Sequence, residues 1–294
     1  MKRIALFENT SKPESISWAE YTANKLRELG VECCAKLELI SAFSSDIGEY
    51  IKPVPPNEFD KFADVLISFG GDGTILAAAR TLLNTEIPIM GVNVGKLGFL
   101  AEFSVNDLEN AILDLLKGNY RVVDRTVLET KENNKVVYAL NDFTIEKKDS
   151  SRMITIQAYA NDKYIGDYRA DGIILTTPTG STAYSLSCGG PIIAPSTQVF
   201  CITPISPHSL TLRPLIIPDT NEVKLKVYSS TGEASLVADG QFYRSLKNNE
   251  VVTFRKSDYR VKLIKPLNST YYDLLRAKLL WAANVVGADF KKDK

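Results

Sequence analysis

Two stretches of the chain combine residue types that could handle a phosphorylated ligand. Residues 70–74 read GGDGT and residues 171–191 read DGIILTTPTGSTAYSLSCGGP. In the first, Asp72 stands among three glycines at the end of an apolar run. Glycine tolerates backbone angles that other residues avoid. A carboxylate so placed could take a proton from a hydroxyl or face a magnesium ion. A glycine-rich turn with Asp as helix cap would read the same way. In the second stretch, an apolar strand over 172–177 runs into a loop of Pro, Thr, Gly and Ser. A helix is expected to open at Ser181 or Thr182. The loop's N–H groups are expected to point at one anion, and its small side chains let a phosphate or ribose approach the main chain. Asp171 sits at the mouth of the strand, and Tyr184 closes the loop.

Lesser candidates surround these. Phe99, in NVGKLGFL at 93–100, could lie against a flat ring or simply fill the core. Asn141 and Asp142 open the run FTIEK; such a pair could read a purine edge and a ribose diol, or form a turn. Asp239-Gly240-Gln241 reads as a hairpin turn that could also lend a carboxylate. His208 is the single histidine. It lies in a loop between two prolines, which gives a Ser-His-Asp or histidine-metal centre poor support. Leu76 denies residues 71–76 the third glycine of a dinucleotide fingerprint, and Leu97 denies 91–97 a P-loop.

The elements that must position these residues change in texture along the chain. Apolar strands are expected at 3–7, 63–69 and 87–94, with a further one at 33–39. Helices are expected at 14–29, 75–83 and 108–116, the first and last stopped by Gly30 and Gly118. Residues 40–60 read as loop. Alternating strands and helices imply an open, mostly parallel sheet. From about residue 120 the pattern becomes short strands with turn signals at 132–134, 161–162 and 230–232, an all-β texture. The expected domains are an α/β domain over 1–120, a β-rich ligand-binding domain over 121–268, and a helix with a charged tail over 269–294 that returns to the first.

The 294 residues are 45% apolar and 24% charged, with 35 Lys and Arg against 35 Asp and Glu. This balance gives no basic field for nucleic acid. No run of about 18 apolar residues suggests a membrane span, and no secretory signal is read at the N-terminus. Cys33, Cys34, Cys188 and Cys201 match no zinc spacing and are expected to be reduced thiols of a cytoplasmic protein.

Together GGDGT, NVGKLGFL, LND at 140–142, RADG at 169–172, TPTGSTAY at 177–184, GGPIIAP at 189–195 and DGQ at 239–241 resemble the NAD kinase family, in its order, along the whole chain. The resemblance implies transfer of a phosphoryl group from ATP, with Mg²⁺ or another divalent cation on the donor phosphates, to the 2′-hydroxyl of the adenosine ribose of NAD. It implies Asp72 as base. It implies an NAD site made of Asp72, Gly73, Phe99, Asn141, Asp142, Arg169, Asp171, Thr182, Ala183, Tyr184, Ser187 and Asp239, the last approaching from a neighbouring subunit of a homodimer or homotetramer. Asp142 departs from the Glu more usual in the family and is one methylene shorter. A lipid or sugar kinase sharing GGDG, or a dinucleotide sensor without activity, are the competing readings.

Overall fold

The computed structural model describes residues 3–8, 12–132, 135–148, 152–229 and 233–280. They fall into two compact groups, one from the described parts of 1–78, 87–123 and 263–294, the other from 79–86 and 124–262.

The first group contains β1 (Ile4–Glu8), α1 (Pro13–Glu28), β2 (Cys33–Ala35), α2 (Leu37–Ile40), α3 (Ser45–Gly48), β3 (Lys52–Pro53), α4 (Phe59–Phe62) and β4 (Val65–Gly70). It continues with α5 (Asp72–Leu82), whose last turn belongs to the second group, then β5 (Ile89–Asn93), β6 (Phe103–Ser104) and α6 (Leu108–Lys117). Strands pair in the order β3-β2-β1-β4-β5, all parallel. β1, β4 and β5 are buried at every position. A parallel sheet covered on both faces demands such unbroken apolar runs. Ala19, Ala23 and Leu26 recur at helical spacing on the buried face of α1. Left-handed glycines follow α1 (Gly30, φ 67°) and α6 (Gly118, φ 84°), as their positions in the sequence required. The run 33–39 is not one strand. It breaks at Lys36 and turns into α2, and the proline-bearing stretch after it holds short helices instead of plain loop.

The second group is antiparallel. Its strands are β7 (Tyr120–Glu132), whose residues up to 123 belong to the first group, β8 (Lys135–Ala139), β9 (Asp142–Lys147), β10 (Ile154–Ala160), β11 (Lys163–Ala170) and β12 (Gly172–Thr176). After α7 (Tyr184–Ser187) come β13 (Val199–Ile205), β14 (Leu215–Pro218), β15 (Val223–Tyr228), β16 (Glu233–Ala238), β17 (Gln241–Lys247) and β18 (Val251–Pro266). One sheet runs β14-β13-β12-β9-β16-β17. The other strands form a second layer in which β10 lies between β11 and β15, and β15 pairs β18. Inward residues of both layers share one core, where the Phe143 and Phe254 rings are 5.0 Å apart. Two hairpins close through two left-handed residues each, Asn161-Asp162 (φ 47° and 64°) and Asp239-Gly240 (φ 47° and 73°). That geometry selects Asn, Asp and Gly.

One sequence reading needs correction here. The runs flanking 230–232 are not hairpin partners: β15 pairs β10 and β18, while β16 pairs β9 and β17. The turn itself, like 133–134, lies outside the described residues. The strand expected over 172–177 is β12, separated from β11 at Asp171, with β11 in one layer and β12 in the other. Residues 79–86, read within a domain ending at 120, group with the second unit.

The last two residues of β18 that pair β5, Leu263 and Ile264, return the chain to the first group. There α8 (Tyr271–Leu279) buries Leu274 and Leu275. Trp281 and the charged tail lie outside the described residues. No helix among the described residues is long and apolar enough to cross a membrane.

Candidate active site

GGDGT forms the link from β4 to α5, at the carboxyl end of a parallel strand. Gly70 has φ 150°, and a Cβ on it would lie 2.3 Å from Thr74 Oγ1. Asp72 begins α5 three residues earlier than the sequence suggested. Its carboxylate reaches the 93–100 loop and accepts three backbone N–H groups: Phe99 on Oδ2 at 2.8 Å, Leu100 on Oδ1 at 2.9 Å and Ala101 on Oδ1 at 3.2 Å. Gly98 makes this approach possible, since a Cβ there would stand 2.0 Å from Asp72 Oδ1. Gly71 and Gly73 are different. Neither has positive φ, and an added Cβ on either would meet nothing within 4 Å.

In the second group, LND and TPTGSTAY form one structure. The Asn141 carbonyl accepts the Thr177 N–H at 2.9 Å and the Thr176 hydroxyl at 3.0 Å, and the Thr177 hydroxyl donates to the Leu140 carbonyl at 2.6 Å. Gly180 packs so closely on Asn141 that a Cβ would lie 2.2 Å from its carbonyl oxygen. Three of the loop's N–H groups turn back on the loop itself, where the sequence suggested an anion. Those of Gly180, Ser181 and Ala183 bond to Thr177 Oγ1, the Pro178 carbonyl and the Gly180 carbonyl. Short 3₁₀ and α turns use these three donors locally, so this part of the loop forms a wall bonded to itself.

Asp239 completes that wall from its own chain. Its carboxylate accepts the N–H groups of Leu140 (3.1 Å), Asn141 (2.7 Å) and Asp142 (3.3 Å), with Arg80 Nη1 3.5 Å away. Its side chain is 1% exposed. Within its own chain the hairpin turn buries Asp239 against 140–142.

A cavity of about 480 Å³ gathers Asn141, Asp142, Ala183, Tyr184 and Asp239 of the residues singled out from sequence, joined by Glu146 and Phe242. Burial, then the Asp239 carboxylate beside it, push Asp142 up to about 7; a long bond from the Thr144 hydroxyl (3.4 Å) opposes them. Burial also raises Glu146. It raises Asp239 as well, against the three N–H groups and Arg80. Carboxylates in such a cavity suit hydroxyl and amine donors, and repel phosphate.

Arg169, Asp171, Thr182 and Ser187 do not line this cavity. Arg169 is exposed on β11 and Ser187 on α7. Asp171 pairs with Lys147 Nζ at 2.6 Å, and the Thr182 hydroxyl donates back to Thr179. Thr144 and Glu146 were missed, although 142, 144 and 146 alternate along one strand and so share a face. Arg80 and Lys147 carried no signal, being remote in sequence or one of many lysines.

Family profiles match along the chain: ATP-NAD kinase N-terminal domain over residues 4–120 and ATP-NAD kinase C-terminal domain over 140–266. An NAD kinase of Bacteroides fragilis is 40% identical over 289 residues, 96% of this chain and 99% of that one. One of Flavobacterium psychrophilum is 43% identical over 230 residues, 76% of this chain and 78% of that one. Among solved structures, yeast NADH kinase complexed with NADH has a TM-score of 0.86 at 24% identity, covering 99% of this chain and 90% of that one. An NAD kinase from Archaeoglobus fulgidus in complex with ATP has 0.76 at 24% identity, covering 95% and 98%. The fold is shared with both solved structures, and the profiles and the bacterial relatives establish that this chain belongs to the NAD kinase family.

Proposed function

We propose that the chain transfers the terminal phosphoryl group of ATP to the 2′-hydroxyl of the adenosine ribose of NAD, giving NADP, with Asp72 as the base. The observation that carries this reading is local to the GGDGT turn. Glycine at 71 and 73 answers no need of the fold, since both have ordinary φ and open space. Between them stands a carboxylate whose position is set by three N–H groups. Bare backbone beside a fixed carboxylate suits a substrate that must press close. A ribose hydroxyl is a poor nucleophile, and a positioned base speeds its attack by about 10²–10⁴-fold.

The cavity of the second group supports the acceptor half of the reading. Asp142, Glu146 and Asp239 favour hydroxyl and amine donors, as a nucleoside offers, over an apolar lipid. We assign Asn141, Asp142, Ala183, Tyr184 and Asp239 to NAD, and retain Gly73, Phe99, Arg169, Asp171, Thr182 and Ser187 as positions for mutational test. Among the described residues no three His, Cys, Asp or Glu side chains converge as a metal cage. Mg²⁺ in this reading arrives on the donor phosphates, where it neutralises charge. We take the enzyme to be a cytoplasmic homodimer or homotetramer.

The test is NADP formation from NAD, ATP and Mg²⁺ by the wild type and Asp72→Asn. Wild-type turnover with a variant slowed at least about 100-fold, NAD binding retained, is the expected result. A variant nearly as fast would leave Asp72 a positioning ligand. A wild type that binds NAD and transfers nothing would be a sensor.

A further inference from the structure

Lys265, the next-to-last residue of β18, is one of the largest fully buried side chains, 1% exposed overall. Its Nζ lies 2.7 Å from Glu102 Oε1 and donates to the Leu100 carbonyl at 3.0 Å. Burying an ammonium is costly unless it is paired and hydrogen-bonded. An apolar side chain of similar volume would fill the space without that cost, so packing alone does not account for a lysine here.

What the ammonium touches does. The Leu100 carbonyl and the Ala101 N–H belong to one planar, trans peptide unit and point in opposite directions. The carbonyl faces Lys265, and the N–H faces Asp72 Oδ1. The Leu100 N–H on the preceding peptide binds the same oxygen. An ammonium on the carbonyl side fixes the plane of the peptide and polarises its N–H as a donor. Lys278 of α8 donates to the Leu97 carbonyl and braces the same loop one turn earlier. All of these groups belong to the first compact group.

We propose that Lys265 is a positioning residue for Asp72: through the 100–101 peptide it aims the loop's N–H groups at the carboxylate, with Glu102 as its counter-ion. The proposal rests on the role given to Asp72 above. It concerns no substrate contact by Lys265 itself.

The experiment pairs turnover with amide exchange in the full-length protein. Lys265→Met alone leaves Glu102 buried without its counter-ion and lowers both Tm and kcat. Lys265→Met combined with Glu102→Gln leaves no stranded charge and recovers most of the Tm. The expected result is that kcat stays about 10–100-fold down in the double variant, while the amides of residues 99–101 exchange faster in both variants than in wild type. Lys265→Arg, which keeps a cation, is expected to recover part of the kcat. Recovery of kcat together with Tm would reduce Lys265 to a structural residue and overturn the proposal. So would unchanged exchange at 99–101. A wild type without NADP formation would instead remove the role of Asp72, an outcome the amide exchange of the substrate-free protein keeps separate.

Discussion

Asp72 and Asp142 are both acids marked out for substrate, and their surroundings are opposite. Asp72 opens a helix and has three backbone N–H groups on its two oxygens. Asp142 opens a strand, is 4% exposed, and has only a long bond from Thr144 on its side chain and a second carboxylate nearby. The backbone aims the first. The environment sets whether the second holds a proton. Geometry-changing substitutions should therefore strike Asp72, and pH should strike Asp142.

The sharpest break in that comparison is Gly98→Ala. Its Cβ would occupy space 2.0 Å from Asp72 Oδ1, so the carboxylate or the loop must move. Turnover is expected to fall about 10–100-fold, with kcat measured beside a thermal melt to separate misplacement from unfolding.

Asp142→Asn tests the other side. Asp142 titrates near 7 in the folded chain and near 4 when unfolded, so between those values the native state holds the extra proton. Stability from this group is fully present below about pH 4 and is lost as pH rises to about 7. The Asn variant should be more stable than wild type at pH 8, by about 2–4 kcal/mol, and no more stable at pH 4. Urea melts at the two pH values decide it; an equal difference at both would refute the buried-proton account.

Gly180→Ala should cost about 1–3 kcal/mol, because the Asn141 carbonyl it would strike is tied down by Thr176 and Thr177. It should also raise KM for NAD. Gly73→Ala has the smallest effect on the fold, within about 1 kcal/mol, since nothing stands within 4 Å. A clear loss of turnover in that variant would show that a ligand needs the bare backbone; full activity would remove Gly73 from the site.

Much of this was legible in sequence because it depends on neighbours. Buried parallel strands announce themselves as apolar runs, and Asn-Asp or Asp-Gly announces a hairpin whose residues must be left-handed. What stayed hidden depends on distant partners. Nothing near Asp72 says that residues 99–101 will bind it. Alternation in 223–228 and 233–238 shows two half-buried strands but not that they join different sheets. The small-residue loop at 177–183 was read as an anion nest because composition cannot say whether N–H groups point outward or bond to the loop itself.

The first compact group is assembled from three separate lengths of chain, the last beginning at residue 263. Translation runs from one end to the other, and domains ordinarily fold as their residues emerge. Here GGDGT and the loop that grips Asp72 leave the ribosome early, while Lys265 and Lys278, which brace that loop, emerge after every other motif. A nascent or truncated chain ending at residue 262 would carry every signature stretch and still lack both braces. Such a chain is expected to hold the loop around Asp72 less firmly than one that includes residues 263–280.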